Sequence, residues 1–171
     1  MSLLLSSKAM DWRTPPALFQ AIEALASQSF ALDAAAQTGH ALYPLFVGPG
    51  GKQLDALAPV IWPYRGSGRV FLNPPYGRRL GLFTRAAIWQ AQQWPGRDVW
   101  LLVPARVDTR WWNELAAFAF GIWFVKGRVK FLLADGTEGD AAPFPSAVVA
   151  IDGLRERRRG PFVEWAWDWT R

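Results

Sequence analysis

Five consecutive apolar residues, Val99–Val103, restrict the possible folds more than any other stretch of the sequence. A strand that is apolar at every position must be covered on both faces, which is typical of parallel sheets flanked by helices. Shorter strands are predicted at Phe30–Leu32 and Val70–Leu72, and residues 18–26 and 82–90 show helical periodicity. Because strands and helices alternate, the sequence predicts an α/β fold with an open, mostly parallel central sheet and helices on both faces.

The last third of the chain predicts more strands than helices. One helix is expected from Thr109 to about Phe118. Trp165, Trp167 and Trp169 alternate with other residues, which predicts an edge strand with one aromatic face. We therefore expect the sheet to have an antiparallel C-terminal edge. The remaining predicted strands are Ala147–Ile151 and a hairpin of Ile122–Val125 and Val129–Leu133, joined by Lys126-Gly127-Arg128.

Signals outside these elements predict loops and turns. Thr14 is expected to cap the first helix and Pro15 to occupy its first position. Residues 35–68 are rich in Gly, Pro and Ala and are predicted to form loops, with one short strand or helix near Leu54–Ile61. The first ten residues are expected to form a flexible tail. Arg155–Arg159 predicts a solvated turn or, alternatively, a patch that contacts phosphate.

The composition excludes several classes of site. The chain has no cysteine and one histidine, His40, so a Cys/His zinc site and a disulfide framework are excluded and no metal site is predicted. No apolar run reaches the roughly 20 residues that a membrane span needs, and we expect a cytoplasmic protein. The net charge of +5 is explained by ordinary solubility or by an anionic partner, of which nucleic acid is the commonest.

The tetrapeptide Asn-Pro-Pro-Tyr, residues 73–76, directly follows the predicted strand Val70–Leu72. In an open α/β sheet, ligands bind beyond the C-terminal ends of the strands. The two prolines lack N–H groups and stiffen the residues before them, so the segment mainly accepts hydrogen bonds. It offers the side-chain oxygen of Asn73 and the carbonyl of Pro74. The alternative interpretation is a proline-stiffened turn without chemical function.

Two rigid acceptors suit a reaction in which an amine on a planar ring attacks an electrophile. The lone pair of such a nitrogen is delocalised, and acceptors for its two N–H bonds stabilise the positive charge that builds up during attack. Tyr76 would stack on the ring and hold it in place. If the ring is a base in duplex DNA, it must first be flipped out of the stack.

The tetrapeptide resembles motif IV of S-adenosylmethionine-dependent amino-methyltransferases, in which Asn or Asp is typical of N6-adenine enzymes and Ser of N4-cytosine enzymes. The chain as a whole resembles the small phage-type DNA N-6-adenine methyltransferase family. The order and joint presence of the matching stretches make the resemblance specific. These stretches are Trp12-x-Thr14-Pro15, LDAAA at 32–36, Asp55-x-Leu57 with Trp62, NPPYG at 73–77, PARVDTRWW at 104–112, GRVKF at 127–131 and FPSAVV at 144–149.

The resemblance implies a Rossmann-like methyltransferase fold over residues 1–171, with no separate target-recognition domain. It implies S-adenosylmethionine as methyl donor, N6 of adenine in duplex DNA as acceptor, and a phage- or prophage-encoded enzyme in a bacterial cytoplasm, with a role in restriction-modification or in regulation. The implied residues are Asn73, Pro74, Pro75 and Tyr76 for catalysis; Trp12, Thr14, Pro15, Asp33, Ala34 and Asp55 for the cofactor; and Arg78, Arg79, Arg106, Arg128 and Lys130 for DNA.

Several assignments keep alternatives. Asp33 ends the first strand, where the resemblance places the methionine end of the cofactor, so its carboxylate would accept from the ammonium group. Asp55 would bind the ribose hydroxyls or be a solvated loop acid, and each basic residue is also compatible with a solvated charge. The first cofactor segment is also explained by a helix cap with a core aromatic residue, Trp12. The usual glycine-rich loop is missing, since only Gly39 follows LDAAA, and His40 either contacts the cofactor or serves the structure.

Three other functions remain compatible with these residues. Similar tetrapeptides mark methyltransferases that act on a glutamine amide, although those typically carry the glycine-rich loop that this chain lacks. An N4-cytosine or an RNA methyltransferase would keep the mechanism and change the acceptor. An inactive relative that only binds nucleic acid would keep the motif without turnover and need not bind S-adenosylmethionine.

Overall fold

The computed structural model describes residues 12–53, 55–63, 68–93, 96–152 and 160–170. The predicted tail, residues 1–10, and the basic run at 155–159 lie outside these ranges. The helices are α1 (Pro16–Ala26), α2 (Leu80–Gln93) and α3 (Arg110–Ala116). The strands are β1 (Phe30–Asp33), β2 (Arg69–Leu72), β3 (Val99–Pro104), β4 (Ala119–Val125), β5 (Lys130–Leu132), β6 (Glu138–Ala141), β7 (Ser146–Ile151) and β8 (Phe162–Trp167).

Six of these strands form the central sheet in the order β1-β2-β3-β7-β4-β8. β1, β2 and β3 are parallel to one another, and β4 is parallel to β8. Only β7, among the described strands of this sheet, runs opposite to its neighbours β3 and β4. The mostly parallel sheet is confirmed. The antiparallel strand lies inside the sheet and not at its C-terminal edge, because β7 is inserted between two strands of the other direction.

Helix α1 covers one face of the sheet. Its Phe19 contacts Phe30 and Phe71, with ring centroids 5.6 and 5.1 Å apart. Phe71 is paired in register with Trp100 of β3, so both side chains belong to the same face. All six residues of β3 are buried, as the run of apolar residues predicts for a strand covered on both sides.

Helices α2 and α3 cover the opposite face. Trp123 of β4 stacks on Trp100 and therefore shares the face of α1. The next residue, Phe124, points to the other face because side chains alternate along a strand. Trp112 of α3 stacks on Phe124, and α2 packs against α3. The prediction of helices on both faces is thus confirmed.

The predicted hairpin over 122–133 is wrong. β5 pairs with β6 in a separate two-stranded antiparallel sheet, and β4 stays in the central sheet. The other edge of β5 is paired with the N-terminal segment: the N–H of Leu132 donates to the carbonyl of Arg13 (2.9 Å), and the N–H of Arg13 donates back (3.3 Å). The strand pattern predicted both strands correctly but not their partners, because pairing depends on distant residues.

The aromatic pattern at the C-terminal end produces an irregular strand. β8 is the edge strand, as predicted, but the register with β4 shifts near Ala166, which has a φ of 112°. Trp165 is 73% exposed and stacks on Phe124 at a centroid distance of 4.6 Å. Trp169 lies beyond the end of the strand at Trp167. The expected single aromatic face is therefore interrupted.

Two predictions near the first helix and in the long loop are also wrong. α1 begins at Pro16, its N-cap is Pro15, and no side chain caps it, because Thr14 turns inward and is only 4% exposed. Residues 55–61 form turns and bends in place of the short strand or helix expected near Leu54–Ile61. In the described ranges, no helix has the length and apolar character needed to cross a membrane.

Candidate active site

A cavity of about 250 Å³ lies at the carboxyl ends of β1 and β2. Asp33, the last residue of β1, and Asn73, which directly follows β2, both line it. Its other walls come from residues 12–14, from the loop after β1 and from residues 55–56. This is the position where open α/β sheets bind ligands. The site therefore brings together three separate parts of the predicted cofactor set and the Asn-Pro-Pro segment.

The side chain of Asn73 is held on one side and unpaired on the other. Its Nδ2 donates to the carbonyl of Trp12 (2.6 Å) and to Oγ1 of Thr14 (3.0 Å). The amide orientation follows from this contact, since a carbonyl accepts from nitrogen and not from oxygen. Its Oδ1 is buried and has no hydrogen-bond partner among the described residues. A buried acceptor without a donor is costly, about 1–3 kcal/mol, and such atoms call for a functional explanation.

The rest of the tetrapeptide divides between the cavity and the core. Pro74 and Pro75 line the cavity with Asn73, whereas Tyr76 does not. The Tyr76 ring is 7% exposed and contacts the edges of Phe131 and Phe144, at centroid distances of 5.8 and 5.4 Å. Its hydroxyl donates to the carbonyl of Leu102 (3.0 Å), and burial raises the pKa of this hydroxyl well above its usual value. In this structure the Tyr76 ring packs in the core and does not face the cavity, so stacking of Tyr76 on a base stays a prediction.

The hydroxyl of Tyr76 should stabilise the fold. We expect Tyr76→Phe to lower the free energy of unfolding by about 1 kcal/mol, because the carbonyl of Leu102 loses its donor in the core. Chemical denaturation would measure this change. Tyr43→Phe is the matched control, since the Tyr43 hydroxyl has no described partner, and it should leave stability within about 0.5 kcal/mol. Equal losses in the two variants would contradict the role of this hydrogen bond.

Asp33 places a buried carboxylate in the cavity wall. It is 3% exposed, and its oxygens accept from the N–H groups of Leu42 (3.2 Å) and Ala35 (3.4 Å). Burial raises its pKa to about 6, and the two backbone hydrogen bonds offset only part of that effect. A cation in the cavity would stabilise the ionised form. The carboxylate is therefore suited to a ligand that carries an ammonium group.

The other predicted cofactor residues are divided. Trp12 and Thr14 line the cavity, and so does Asp55, which is exposed and accepts from the N–H of Leu57 (2.9 Å). Pro15 and Ala34 do not line it. Pro15 precedes α1, and the N–H of Ala34 donates to the carbonyl of Phe71, which links β1 to β2.

A glycine-containing loop that the sequence did not predict as part of the site shapes the cavity. Residues 45–49 run beside residues 33–38, and the N–H of Ala36 donates to the carbonyl of Val47 (3.0 Å). Gly48 lines the cavity with a φ of 139°, and a Cβ added there would lie 1.8 Å from the carbonyl oxygen of Ala36. The glycine cluster at 48–51, farther along the same connection between β1 and β2, was the sequence signal for this close approach.

The predicted DNA-binding residues lie outside the cavity wall. Arg78 and Arg79 are exposed directly after the Asn-Pro-Pro-Tyr segment, and Arg106 is exposed after β3. Arg128 is exposed before β5, and Lys130 of β5 pairs with Glu138 of β6 (2.9 Å). These positions are compatible with contacts to phosphate, which remain predictions.

His40 lies at the cavity and contacts the N-terminal segment. Its Nδ1 is 2.8 Å from Nη1 of Arg13, so this ring nitrogen accepts and a neutral imidazole carries its proton on Nε2. Both residues line the cavity. The position of His40 is therefore compatible with both alternatives from the sequence, a cofactor contact and a structural role.

Within the described residues, no group of three or more His, Asp or Glu side chains could hold a metal ion.

Comparison with known proteins identifies the family of this chain. No curated protein sequence matches the chain. The model of the family described as DNA N-6-adenine-methyltransferase (Dam) matches residues 2–161, nearly the whole sequence. This match covers every residue of the cavity, and the chain belongs to the DNA N-6-adenine-methyltransferase (Dam) family.

Proposed function

We propose that this protein is an S-adenosylmethionine-dependent DNA methyltransferase that acts on N6 of an adenine flipped out of duplex DNA. The observation that carries the proposal is the unpaired Oδ1 of Asn73 in the wall of the cavity. An exocyclic amino group is the donor that this acceptor lacks. The fold supports the proposal as a Rossmann-like methyltransferase arrangement, because the site lies at the carboxyl ends of parallel strands.

The residues of the cavity fit the cofactor. Asp33 supplies a desolvated carboxylate for its ammonium group, and Asp55, which also lines the cavity, supplies acceptors for its ribose hydroxyls. Gly48 lets its loop segment pack directly on the backbone of Ala36, another residue of the cavity wall, which shapes the space for the cofactor. When bound, S-adenosylmethionine supplies an electrophilic methyl group on a sulfonium.

The chain's own contribution is to orient the amino group and to stabilise its charge. Oδ1 of Asn73 and the carbonyl of Pro74 would accept the two N–H bonds of N6. As N6 would bond to the methyl carbon and the bond from that carbon to the sulfonium sulfur would break, N6 would become positively charged, and both oxygens would stabilise that charge. Release of one N6 proton to solvent would then give the neutral methylated amine, and the cofactor would leave as a neutral thioether. No side chain must remove a proton before the attack.

The direct test combines labelled S-adenosylmethionine, duplex DNA and the purified protein, followed by digestion to nucleosides. The proposal expects label in N6-methyladenine. Label in N4-methylcytosine would overturn the assignment of the base, and label only in RNA or protein acceptors would overturn the assignment of DNA. Absence of label together with absence of cofactor binding would identify an inactive relative. Asn73→Ala, prepared identically, controls for a contaminating enzyme.

Cofactor affinity should decrease as the pH falls below about 6. The pKa of Asp33 is about 6 in the free protein, and a bound ammonium group favours the ionised carboxylate. Below pH 6 this carboxylate must first lose a proton, so the affinity at pH 5 should be about tenfold lower than at pH 7. Calorimetry at both pH values measures the change.

The control for this pH dependence is Asp33→Asn, which cannot ionise. Its affinity should be lower at pH 7 and nearly constant between pH 5 and pH 7. His40 and Asp55 also line the cavity. A slope that persists unchanged in Asp33→Asn would therefore assign the pH dependence to another group and contradict the role of Asp33.

A further inference from the structure

The amide nitrogen of Asn73 meets two acceptors that belong to one short segment, residues 12–14. The carbonyl of Trp12 lies at 2.6 Å and Oγ1 of Thr14 at 3.0 Å. Thr14 is 4% exposed, so its hydroxyl has little access to water. The sequence suggested a helix cap or a cofactor contact for Thr14. The structure shows neither a cap at Thr14 nor a free side chain, but a direct contact with the catalytic amide.

The segment that carries these acceptors is itself fixed from the other side. Two backbone hydrogen bonds join Arg13 to Leu132 of β5. The ring of Trp12 packs edge-on against Phe131 and Phe144, with centroid distances of 5.3 and 5.5 Å. The small sheet of β5 and β6 therefore holds residues 12–14 in position behind Asn73. Contacts held in this way can fix the orientation of a side chain.

The orientation of the amide determines which atom is left for the substrate. Only Nδ2 can face the carbonyl of Trp12, so Oδ1 stays unpaired. Rotation of the amide by half a turn would bring two acceptor oxygens together and would leave the nitrogen toward the substrate. An amino group could then find no acceptor on residue 73. The carbonyl of Trp12 thus selects the productive orientation, and Oγ1 of Thr14 accepts a second hydrogen bond from Nδ2 in that orientation.

We propose that Thr14 is a positioning residue that, with the carbonyl of Trp12, holds the Asn73 amide so that its Oδ1 accepts from the substrate amino group. This inference rests on the proposed function. It also gives a reason for asparagine at position 73. An aspartate would keep an acceptor, but its second oxygen would lie against the carbonyl of Trp12.

Kinetics of four variants test the role of Thr14. Thr14→Val keeps the shape and removes the acceptor, and we expect kcat to fall about tenfold with unchanged affinity for S-adenosylmethionine and unchanged KM for DNA. Thr14→Ser keeps the hydroxyl and should restore kcat to within about twofold. In an Asn73→Ala background, Thr14→Val should have no further effect on the residual rate, because it acts through Asn73. Asn73→Asp should lower kcat about a hundredfold.

Three kinetic outcomes would overturn the inference. A Thr14→Val variant with normal kcat and weakened cofactor binding would make Thr14 a cofactor contact. Additive losses in the double variant would separate Thr14 from Asn73. Full activity of Asn73→Asp would show that the carbonyl of Trp12 does not restrict residue 73.

A readout without turnover separates failure of this inference from failure of the proposed function. The sequence contains two asparagines, Asn73 and Asn113, so protein labelled with 15N in the asparagine side chains gives signals from two NH2 groups. We expect slow hydrogen exchange for Asn73 and fast exchange for the exposed Asn113 in the parent. In Thr14→Val, exchange at Asn73 should become about tenfold faster, with Asn113 unchanged. Unchanged exchange at Asn73 would overturn the inference even if the enzyme methylates adenine.

Discussion

Replacement of Asn73 by alanine should lower kcat about 10²- to 10³-fold, the loss typical for removal of one preorganised group that stabilises transition-state charge. The variant removes the buried Oδ1, the acceptor that we assign to the amino group of adenine. Cofactor affinity should stay within about threefold of the parent, because Asp33 and the loop that contains Gly48 are unchanged. Single-turnover methylation and calorimetric cofactor binding measure the two effects separately.

Asn113→Ala is the matched control for this variant. Asn113 is the other asparagine of the chain and lies exposed on α3, where its side chain donates to the carbonyl of Thr109. It should keep the parent kcat. An Asn73→Ala enzyme with full turnover would remove Asn73 from the mechanism, and a parallel loss of cofactor binding would make its role structural.

Replacement of Gly48 by alanine should weaken cofactor binding at least about thirtyfold. Its φ of 139° lies in a region where residues other than glycine cost about 1–3 kcal/mol. The added Cβ would lie 1.8 Å from the carbonyl oxygen of Ala36, so the loop must also move away from residues that line the cavity. Overpacking of this kind costs about 1–3 kcal/mol more. Calorimetry with S-adenosylmethionine measures the loss of affinity.

Gly39→Ala separates the clash from the backbone strain. Gly39 also has a positive φ, 83°, but a Cβ there would meet nothing within 4 Å. We expect this variant to lose about 1 kcal/mol of stability and to bind the cofactor within about fivefold of the parent. Thermal unfolding of both variants controls for general destabilisation. Equal affinities in Gly48→Ala and Gly39→Ala would show that close packing of the two loops does not shape the site.

The sequence predicted the parts of the fold that depend on local patterns. Three strands with apolar residues at nearly every position, and two helices with apolar faces, were found close to their predicted bounds. Pairing was less predictable, because the same pattern at Lys130–Leu132 fits either β4 or β6 as neighbour. The position of β7 inside the sheet likewise depends on residues far apart in the chain.

The site shows the same division. Asn73 was predicted because it follows an apolar strand, at the edge of the sheet where ligands bind. Asp33, which also lines the cavity, was predicted from the family resemblance. The contact between Thr14 and Asn73 was not predicted, since a threonine before proline is a strong local signal for a helix cap and Asn73 lies 59 positions away. The approach of Gly48 to Ala36 was missed for a similar reason, because no local pattern reports which loop lies beside another.

The position of β7 also affects the order in which the chain can fold. β3 and β4 do not pair with each other. One edge of β3 pairs with β2 and one edge of β4 pairs with β8, and the remaining edge of each strand pairs with β7, residues 146–151. The middle of the sheet can therefore form only after most of the chain has been synthesised. Until then, β3 and β4 each have an unpaired edge. Long-range pairing of this kind slows folding and leaves the nascent chain prone to aggregation.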